Sequence, residues 1–395
     1  LYNNTQPIDL LTVSNDLKMR GELDGAGGDF YLVQLTQKVS SAANIEFHAR
    51  IVQQKFFQRE LITLSSDLIN KSYDDSTDVF DLLDEAESGI FNITNSNIKK
   101  SYEKADDLVQ QAIKRIEELS KQEGGISGLP SGFRDVDKVT AGWQASDLIV
   151  IAARPGMGKT SFALNIMRHA AVVAKKRVAF FSLEMSKEQL ASRLLSTESM
   201  VSSIKLRTGK LDEGEWMRLI EGGDILSKTQ MYFDDSSQIT VPEMKAKLRR
   251  LKDVDLVIID YLQLMSGSRK TDNRVQEISE ITRNLKIMAK ELMVPVITLS
   301  QLSRDSEKRT TNAHRPVLSD LRDSGSIEQD ADIVLFLYRD DYYSGDQAPG
   351  EETDKNRGEC IIAKNRHGET KTVPLHWQGE FMRFTSQEVI RSEPF

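Results

Sequence analysis

The sequence has one cysteine, no long apolar run and no excess of positive charge, and each absence excludes a class of protein. Cys360 has no second cysteine with which to form an internal disulfide, as is usual in the reducing cytosol. No apolar run approaches the roughly 18 residues that a membrane-spanning helix needs. The net charge of −8 excludes a general basic field, so any nucleic-acid binding must come from local loops. We therefore expect a cytoplasmic protein without a membrane partner.

The length and composition are those of an ordinary globular chain. Its 395 residues suffice for two or more domains, and 39% of them are hydrophobic and 28% charged. The sequence begins at Leu1 without an initiator methionine or a signal-like segment. We therefore expect a fragment that lacks its natural N-terminus.

The pattern of apolar residues divides the chain into three parts. Residues 1–100 have helical spacing and no nucleotide motif, which predicts an all-α N-terminal domain. Residues 101–127 hold an amphipathic helix, Lys104–Lys121, and a turn-rich connector. The apolar stripe of this helix must be buried on its own subunit or on a neighbour, and the pattern favours neither. From residue 128 to residue 395, strands and helices alternate, which predicts an α/β domain with a mostly parallel sheet.

Six apolar runs in the third part predict strands: Leu148–Ala152, Val178–Ser182, Leu256–Ile259, Val296–Ser300, Ile333–Tyr338 and Cys360–Ala363. Helical periodicity predicts four intervening helices: Thr160–Ala174, Lys187–Thr197, Val241–Leu251 and Val275–Leu292.

The loop between the first of these strands and the first helix matches most of a P-loop, G-x-x-x-x-G-K-[ST]. Its glycines let backbone N–H groups turn inward around phosphate oxygens, and the following helix N-terminus adds a positive dipole. Lys159 is predicted to reach the β- and γ-phosphates, and the Thr160 hydroxyl to bind Mg²⁺. Ala153 occupies the first glycine position of the pattern. The predicted nucleotide-binding residues are Arg154, Pro155, Gly156, Met157, Gly158, Lys159, Thr160 and Ser161.

Two acidic residues follow other predicted strands. Asp260 ends the run DLVIID, the Walker B arrangement in which the carboxylate holds Mg²⁺. Glu184 follows the run FFSL and could polarise the attacking water. A helix-capping or surface glutamate is an equally good interpretation of Glu184 from the residues alone.

Two further segments carry polar or basic residues suited to phosphate. Gln301 ends a predicted strand, where it could sense the γ-phosphate, and the loop after it carries Arg304 and other basic residues suited to nucleic acid. The segment KNRHG, which contains Lys364 and Arg366, could reach the nucleotide site of another subunit, although its sequence alone indicates only a basic hairpin.

Taken in order, these motifs resemble the bacterial replicative DNA helicases of the DnaB family, which have a RecA-like motor domain. The resemblance rests on ARPGMGKTSFALN (153–165), FFSLEMS (180–186), DLVIIDYLQLM (255–265), LSQLSR (299–304), LSDLRDSGSIEQDADIV (318–334) and KNRHG (364–368). The segment PIDLLTVSNDL (7–17) also resembles part of that family's N-terminal helical domain. An alanine at the first glycine position of the P-loop is usual in that family.

The resemblance implies a role for each matching residue. Lys159 and Thr160 would serve the phosphates and the metal, Asp260 the metal, and Glu184 would be the catalytic base. Gln301 would couple the γ-phosphate to the DNA-binding loop. Arg366 would be an arginine finger that enters the neighbouring subunit's site, and Lys364 its companion. The central-channel segment that tracks single-stranded DNA would comprise Arg322, Asp323, Ser324 and Gly325, with Arg304 as a further DNA contact.

The resemblance also implies an activity and an assembly. We expect a homohexamer that uses ATP and Mg²⁺ to move 5′ to 3′ on single-stranded DNA and to unwind forked DNA. The linker helix would dock on the adjacent motor domain, and primase and a helicase loader would be partners. Two other interpretations share the core motifs: a RecA-like strand-exchange ATPase, and an assembly scaffold that uses ATP only to hold partners.

Overall fold

A computed structural model describes residues 9–37, 45–74, 78–95, 105–120, 125–267, 273–303, 314–321, 325–342 and 356–387. The chain forms two compact units, divided between Ile113 and Lys114. This division falls inside a helix, and the domain boundaries 1–100, 101–127 and 128–395 stay a prediction. Among the described residues, no helix combines the length and apolarity needed to cross a bilayer.

The first unit is helical, as predicted. Its helices are α1 (Leu10–Met19), α2 (Gly28–Gln37), α3 (Ile45–Ser72) and α4 (Val79–Asn95), and α5 (Ala105–Ser120) crosses the division. Asp9 caps the start of α1: its carboxylate accepts the N–H of Thr12 at 2.9 Å and so satisfies a free donor at the helix N-terminus. α3 and α4 form a hairpin in which Gly89 lies against Leu64, so the glycine permits the close approach.

The second unit is an α/β domain. Its helices are α6 (Arg134–Thr140), α7 (Lys159–Arg168), α8 (Lys187–Ser199), α9 (Ser203–Thr208), α10 (Glu213–Ser227), α11 (Val241–Leu251), α12 (Arg274–Leu292) and α13 (Gly325–Asp330). Its strands are β1 (Leu148–Ala153), β2 (Val178–Ser182), β3 (Met231–Asp234), β4 (Leu256–Asp260), β5 (Val296–Gln301), β6 (Ile333–Tyr338), β7 (Arg357–Asn365), β8 (Lys371–Gln378) and β9 (Arg383–Ser386).

The described strands form one sheet in the order β3-β2-β4-β5-β1-β6-β7-β8-β9. The first six in this order run parallel, and β7, β8 and β9 add an antiparallel edge. β1 is buried along its whole length because helices cover both faces of the sheet. Ile149 and Ile151 belong to the core layer that contains Phe162 of α7, and Leu148 and Val150 to the layer that contains α12. The predicted α/β class is confirmed.

Local sequence explains where several helices begin. Ser186 and Gln189 form a reciprocal capping box at the start of α8, and Thr240 and Glu243 form one at the start of α11. α8 therefore begins directly after the strand end that carries Glu184. The carboxyl ends of the parallel strands meet at one edge of the sheet, where ligands bind in open α/β folds.

Cys360 lies in the middle of β7 and is completely buried. Burial raises the pKa of its thiol from an ordinary value of 9.0 to about 12. We expect the native protein to resist iodoacetamide at pH 8, and the denatured chain to react at one thiol per molecule, because only the thiolate is nucleophilic. Since the folded pKa exceeds the unfolded one, the stability gained from the neutral thiol is full below pH 9 and falls as pH rises toward 12. Mass spectrometry of alkylated protein tests the first expectation; rapid native labelling would contradict it.

Candidate nucleotide-binding site

The loop between β1 and α7 has the backbone of a phosphate cradle. Gly156 and Gly158 adopt φ values of +80° and +92°, which only glycine adopts without strain. A Cβ at Gly158 would also lie 2.9 Å from Cε2 of Phe384, so space as well as φ requires glycine there. Ala153 is different, because it is the last residue of β1 and pairs with Gln301. The first position of the motif is extended here and needs no glycine.

Lys159 is the first residue of α7 and lies among aromatic and acidic groups. Its Nζ is 4.5 Å from the centroid of the Tyr261 ring. Burial lowers the pKa of Lys159, and the nearby carboxylates of Asp260 and Glu184 oppose that shift. A partly buried ammonium has lost some of its hydration, and the negative charge of a polyphosphate can take the place of that water.

The Thr160 hydroxyl donates a hydrogen bond of 2.7 Å to Oδ2 of Asp260. Burial raises the pKa of Asp260, whereas Lys159 and the Thr160 hydrogen bond lower it. Oδ1 of Asp260 is buried, and no donor among the described residues reaches it. A buried carboxylate oxygen without a donor, beside a threonine hydroxyl, is the oxygen donor set that Mg²⁺ uses at phosphates.

Glu184 lies at the same edge of the sheet as Asp260, just after β2, the strand next to β4. Ser182 pairs with Asp260 in the register of β2 and β4, and the N–H of Leu183 donates to the Asp260 carbonyl at 2.7 Å. The Ser182 hydroxyl bonds to the backbone of Met185, which tightens the turn around Glu184. The glutamate side chain is exposed and faces the site, where its charge acts on Lys159.

Gln301 ends β5 beside the phosphate loop. Its backbone N–H donates to Oε1 of Gln263 at 3.2 Å, and Nε2 of Gln263 donates to its carbonyl at 3.2 Å. The next residue, Leu302, accepts from Nη1 of Arg154 at 2.8 Å and pairs with Leu321. The end of β5 is therefore bonded to the phosphate loop on one side and to the segment before residue 322 on the other.

Lys364 and Arg366 lie at the opposite edge of the sheet from the phosphate loop of the same chain. Antiparallel pairing sets Lys364 opposite Val334 at the amino end of β6, and β6 runs parallel to β1. Since a strand rises about 3.3 Å per residue, β1 separates the two edges by roughly 17 Å. These two basic residues therefore do not join the cluster of Lys159, Thr160, Glu184, Asp260 and Gln301 within one chain.

Most of the predicted DNA-binding residues, namely Arg304, Arg322, Asp323 and Ser324, lie outside the described residues. Gly325 is described and begins α13, with open space where a side chain would lie. Arg315, at the end of the basic loop after β5, forms an ion pair with Glu359 of β7 and lies 5.6 Å from the ring centroid of Tyr338.

Three residues near the cluster were not predicted from the sequence. Arg339 donates to the carbonyl of Gly156 at 3.5 Å, and Tyr342 lies 3.0 Å from a Cβ built at that glycine. Arg339 and Tyr342 both follow the carboxyl end of β6 in the sequence. That position could have identified them, because ligands bind at the carboxyl edge of such a sheet. Arg193 of α8 is coupled to both acidic residues: burial lowers its pKa, and Asp260 and Glu184 raise it.

Comparison with known proteins identifies similar chains along nearly the whole sequence. Residues 128–386 match the DnaB-like helicase C-terminal domain, and residues 1–54 match the DnaB-like helicase N-terminal domain. The chain is 45% identical to the replicative DNA helicase DnaC of Bacillus subtilis, over 98% of this chain and 85% of the relative. It is 44% identical to the replicative DNA helicase DnaB of Geobacillus stearothermophilus, over 97% of this chain and 84% of the relative.

Two solved structures extend the comparison to the fold. A DnaB-like replicative helicase, described together with its interactions with primase, is 34% identical with a TM-score of 0.73, covering 98% of this chain and 90% of its own. The second structure, described as an ATPase domain, is 38% identical with a TM-score of 0.67, covering 73% of this chain and 100% of its own. The predicted RecA-like motor fold is confirmed, and such ATPase domains bind nucleotides.

Proposed function

The chain belongs to the DnaB-like helicase family, and we propose that it is a replicative DNA helicase that couples ATP hydrolysis to 5′–3′ movement on single-stranded DNA. The observation that carries this proposal is the division of basic groups between the two edges of one sheet. A phosphate loop with its acidic partners lies at the carboxyl edge, and Lys364 and Arg366 lie at the amino edge. One chain thus supplies half of two different sites, as a ring of identical subunits requires.

At the carboxyl edge, each residue has a distinct task in hydrolysis. The loop residues from Arg154 to Ser161 bind the triphosphate, with Lys159 on the β- and γ-phosphates. Thr160 and Asp260 would hold Mg²⁺, because their oxygens are adjacent and Oδ1 of Asp260 is available. When bound there, the ion would supply positive charge that offsets the charge of the phosphates. Glu184 accepts the proton of the attacking water, and its exposed side chain leaves room for that water.

The other half of the site comes from the neighbouring subunit. Arg366 stabilises the charge that develops on the transferred phosphoryl group, and Lys364 assists it. Gln301 would form a hydrogen bond with the γ-phosphate and lose it on hydrolysis, which couples the nucleotide to the DNA-binding loop. Its strand end is bonded through Leu302 to Leu321, directly before the segment Arg322–Gly325 that would bind DNA together with Arg304. Contacts to phosphates rather than to bases give the sequence-independent grip that a motor needs.

A homohexamer would be closed by α5. Its residues Val109, Ile113 and Ile116 expose more than half of their surface, while the side chains of Leu108, Ala112 and Leu119 lie outside the described residues. α10 exposes Met217 and Ile220 to a similar degree. We infer that α5 of one subunit covers this apolar face of the next, which removes both from water. By family analogy, primase and a helicase loader are partners, and the site of action is the cytoplasm.

Unwinding of forked DNA tests this proposal. We expect ATP-dependent strand displacement from a fork with a 5′ tail and none from a fork with only a 3′ tail, measured by a strand-separation assay. The Lys159→Ala variant is the matched control and should displace nothing. ATPase activity that DNA stimulates without unwinding would favour the recombinase-like alternative or a ring that fails to assemble. ATP binding without either activity would favour the assembly scaffold.

A further inference from the structure

The loop that carries Arg366 is held by two buried carboxylates. The Arg366 N–H donates to the carbonyl of Asp332 at 2.9 Å, and its Nη1 lies 3.4 Å from Oδ1 of the same residue. The next residue, His367, places Nε2 2.8 Å from Oδ2 of Asp147. Asp332 and Asp147 are only 4% and 3% exposed, so both residues that hold the loop are buried in the domain. Two consecutive residues of the loop are thus each held by a different buried acid.

The Asp332 carboxylate is oriented by partners that do not belong to this loop. Nζ of Lys286 in α12 lies 2.6 Å from Oδ2 of Asp332, and the N–H of Leu148 donates to the same oxygen at 2.8 Å. These two donors fix the carboxylate and direct Oδ1 at Arg366. Leu148 is the first residue of β1, and that strand ends at the phosphate loop. One buried acid therefore connects the arginine to the central strand of the sheet.

The end of α13 supplies the remaining contacts. Nζ of Lys364 donates to the carbonyl of Ala331 at 2.7 Å, and Nη2 of Arg366 donates to the carbonyl of Gln329. Free carbonyls at a helix C-terminus attract cations. A guanidinium has five N–H donors, and the bonds to Asp332 and Gln329 use two of them. The Arg366 side chain is 48% exposed, so its other donors face outward.

We propose that Asp332 is a positioning residue for Arg366. It fixes the backbone and one edge of the guanidinium, so that the exposed donors are presented to the nucleotide of the neighbouring subunit. This inference rests on the proposed function, because it requires Arg366 to act in trans. The preorganised geometry lowers the entropy that the arginine loses when it meets the phosphate.

The first test is Asp332→Asn, which keeps the shape of the side chain and removes its charge. We expect kcat for DNA-stimulated ATP hydrolysis to fall about tenfold with KM for ATP unchanged, because the loss is confined to the transition state. Glu198→Gln is the matched control: the side chain of Glu198 is equally buried, with 6% exposure, and its carboxylate pairs with Arg168. Its kcat should be unchanged. A normal kcat in Asp332→Asn, or an equal loss in Glu198→Gln, would overturn the inference.

The second test uses mixed rings obtained by co-expressing two differently tagged variants. Lys159→Ala has a defective phosphate loop and an intact Arg366, and Asp332→Asn has the reverse. In a random mixture, about one quarter of the interfaces join an intact loop to an intact finger, and activity should recover to that extent. Arg366→Ala mixed with Lys159→Ala should recover likewise. Failure of that second mixture would refute the trans finger itself, and with it this inference. Recovery there without recovery for Asp332→Asn would refute only the positioning role.

Discussion

Arg366→Ala is expected to reduce DNA-stimulated ATP turnover by about 10³-fold or more, while ATP binding stays close to that of the unaltered protein. The reason is spatial: the edge that carries Arg366 and the edge that carries the phosphate loop are roughly 17 Å apart along β1, so Arg366 contributes nothing to binding in its own chain. It contributes only when the charge of the transferred phosphoryl group develops in the neighbouring site.

Steady-state kinetics and equilibrium binding of a fluorescent ATP analogue separate the two effects. Arg357→Ala is the matched control, because Arg357 is an exposed arginine at the start of β7, the strand that precedes Arg366, and it pairs with Glu359 at 3.5 Å. That variant should keep its turnover. Strong ATPase activity in Arg366→Ala would contradict the trans assignment.

Lys159→Ala is expected to abolish ATP hydrolysis and also to weaken nucleotide binding. Its ammonium lies 4.5 Å from the centroid of the Tyr261 ring, and burial lowers its pKa while the charges of Asp260 and Glu184 oppose the shift. Removing it leaves two acidic groups facing the phosphates without the cation that offsets them, so the triphosphate is repelled.

The loss in Lys159→Ala should appear both in binding titrations and in turnover, unlike the loss in Arg366→Ala. Lys176→Ala serves as the control, because Lys176 is an exposed lysine that pairs with Asp255 at 3.1 Å before β2. If the variant kept a turnover within tenfold of that of the unaltered protein, the role assigned to Lys159 would be contradicted.

The central strands could be predicted from the sequence because they are buried on both faces and read as continuous apolar runs. β3, β8 and β9 were not predicted, and the sequences of the first two explain why. β3 has only four residues, none of them fully buried, at the edge of the sheet. β8 alternates buried and partly exposed positions but contains Pro374, which argues against a strand in the sequence. Pairing with β7 and β9 overrides that local preference.

The residues of the candidate site also divide into those that could be predicted from the sequence and those that could not. Lys159 and Thr160 could be named in advance from the phosphate-loop motif, and Glu184, Asp260 and Gln301 because each follows or ends an apolar run. Their roles stay predictions. Arg193 and Asp332 could not be named, because their importance depends on contacts between residues distant in sequence, such as Asp332 with Leu148. No local pattern records that contact.

The separation of the two edges by β1 has a consequence for how the motor is switched on. If each phosphate loop needs an arginine from the next copy, an open row of subunits always has one fewer complete site than it has members. Only a closed ring has as many complete sites as it has subunits. When a ring opens at one interface to admit a DNA strand, the site at that interface therefore lacks its arginine and does not hydrolyse ATP. Hydrolysis resumes there only after the ring has closed around the strand.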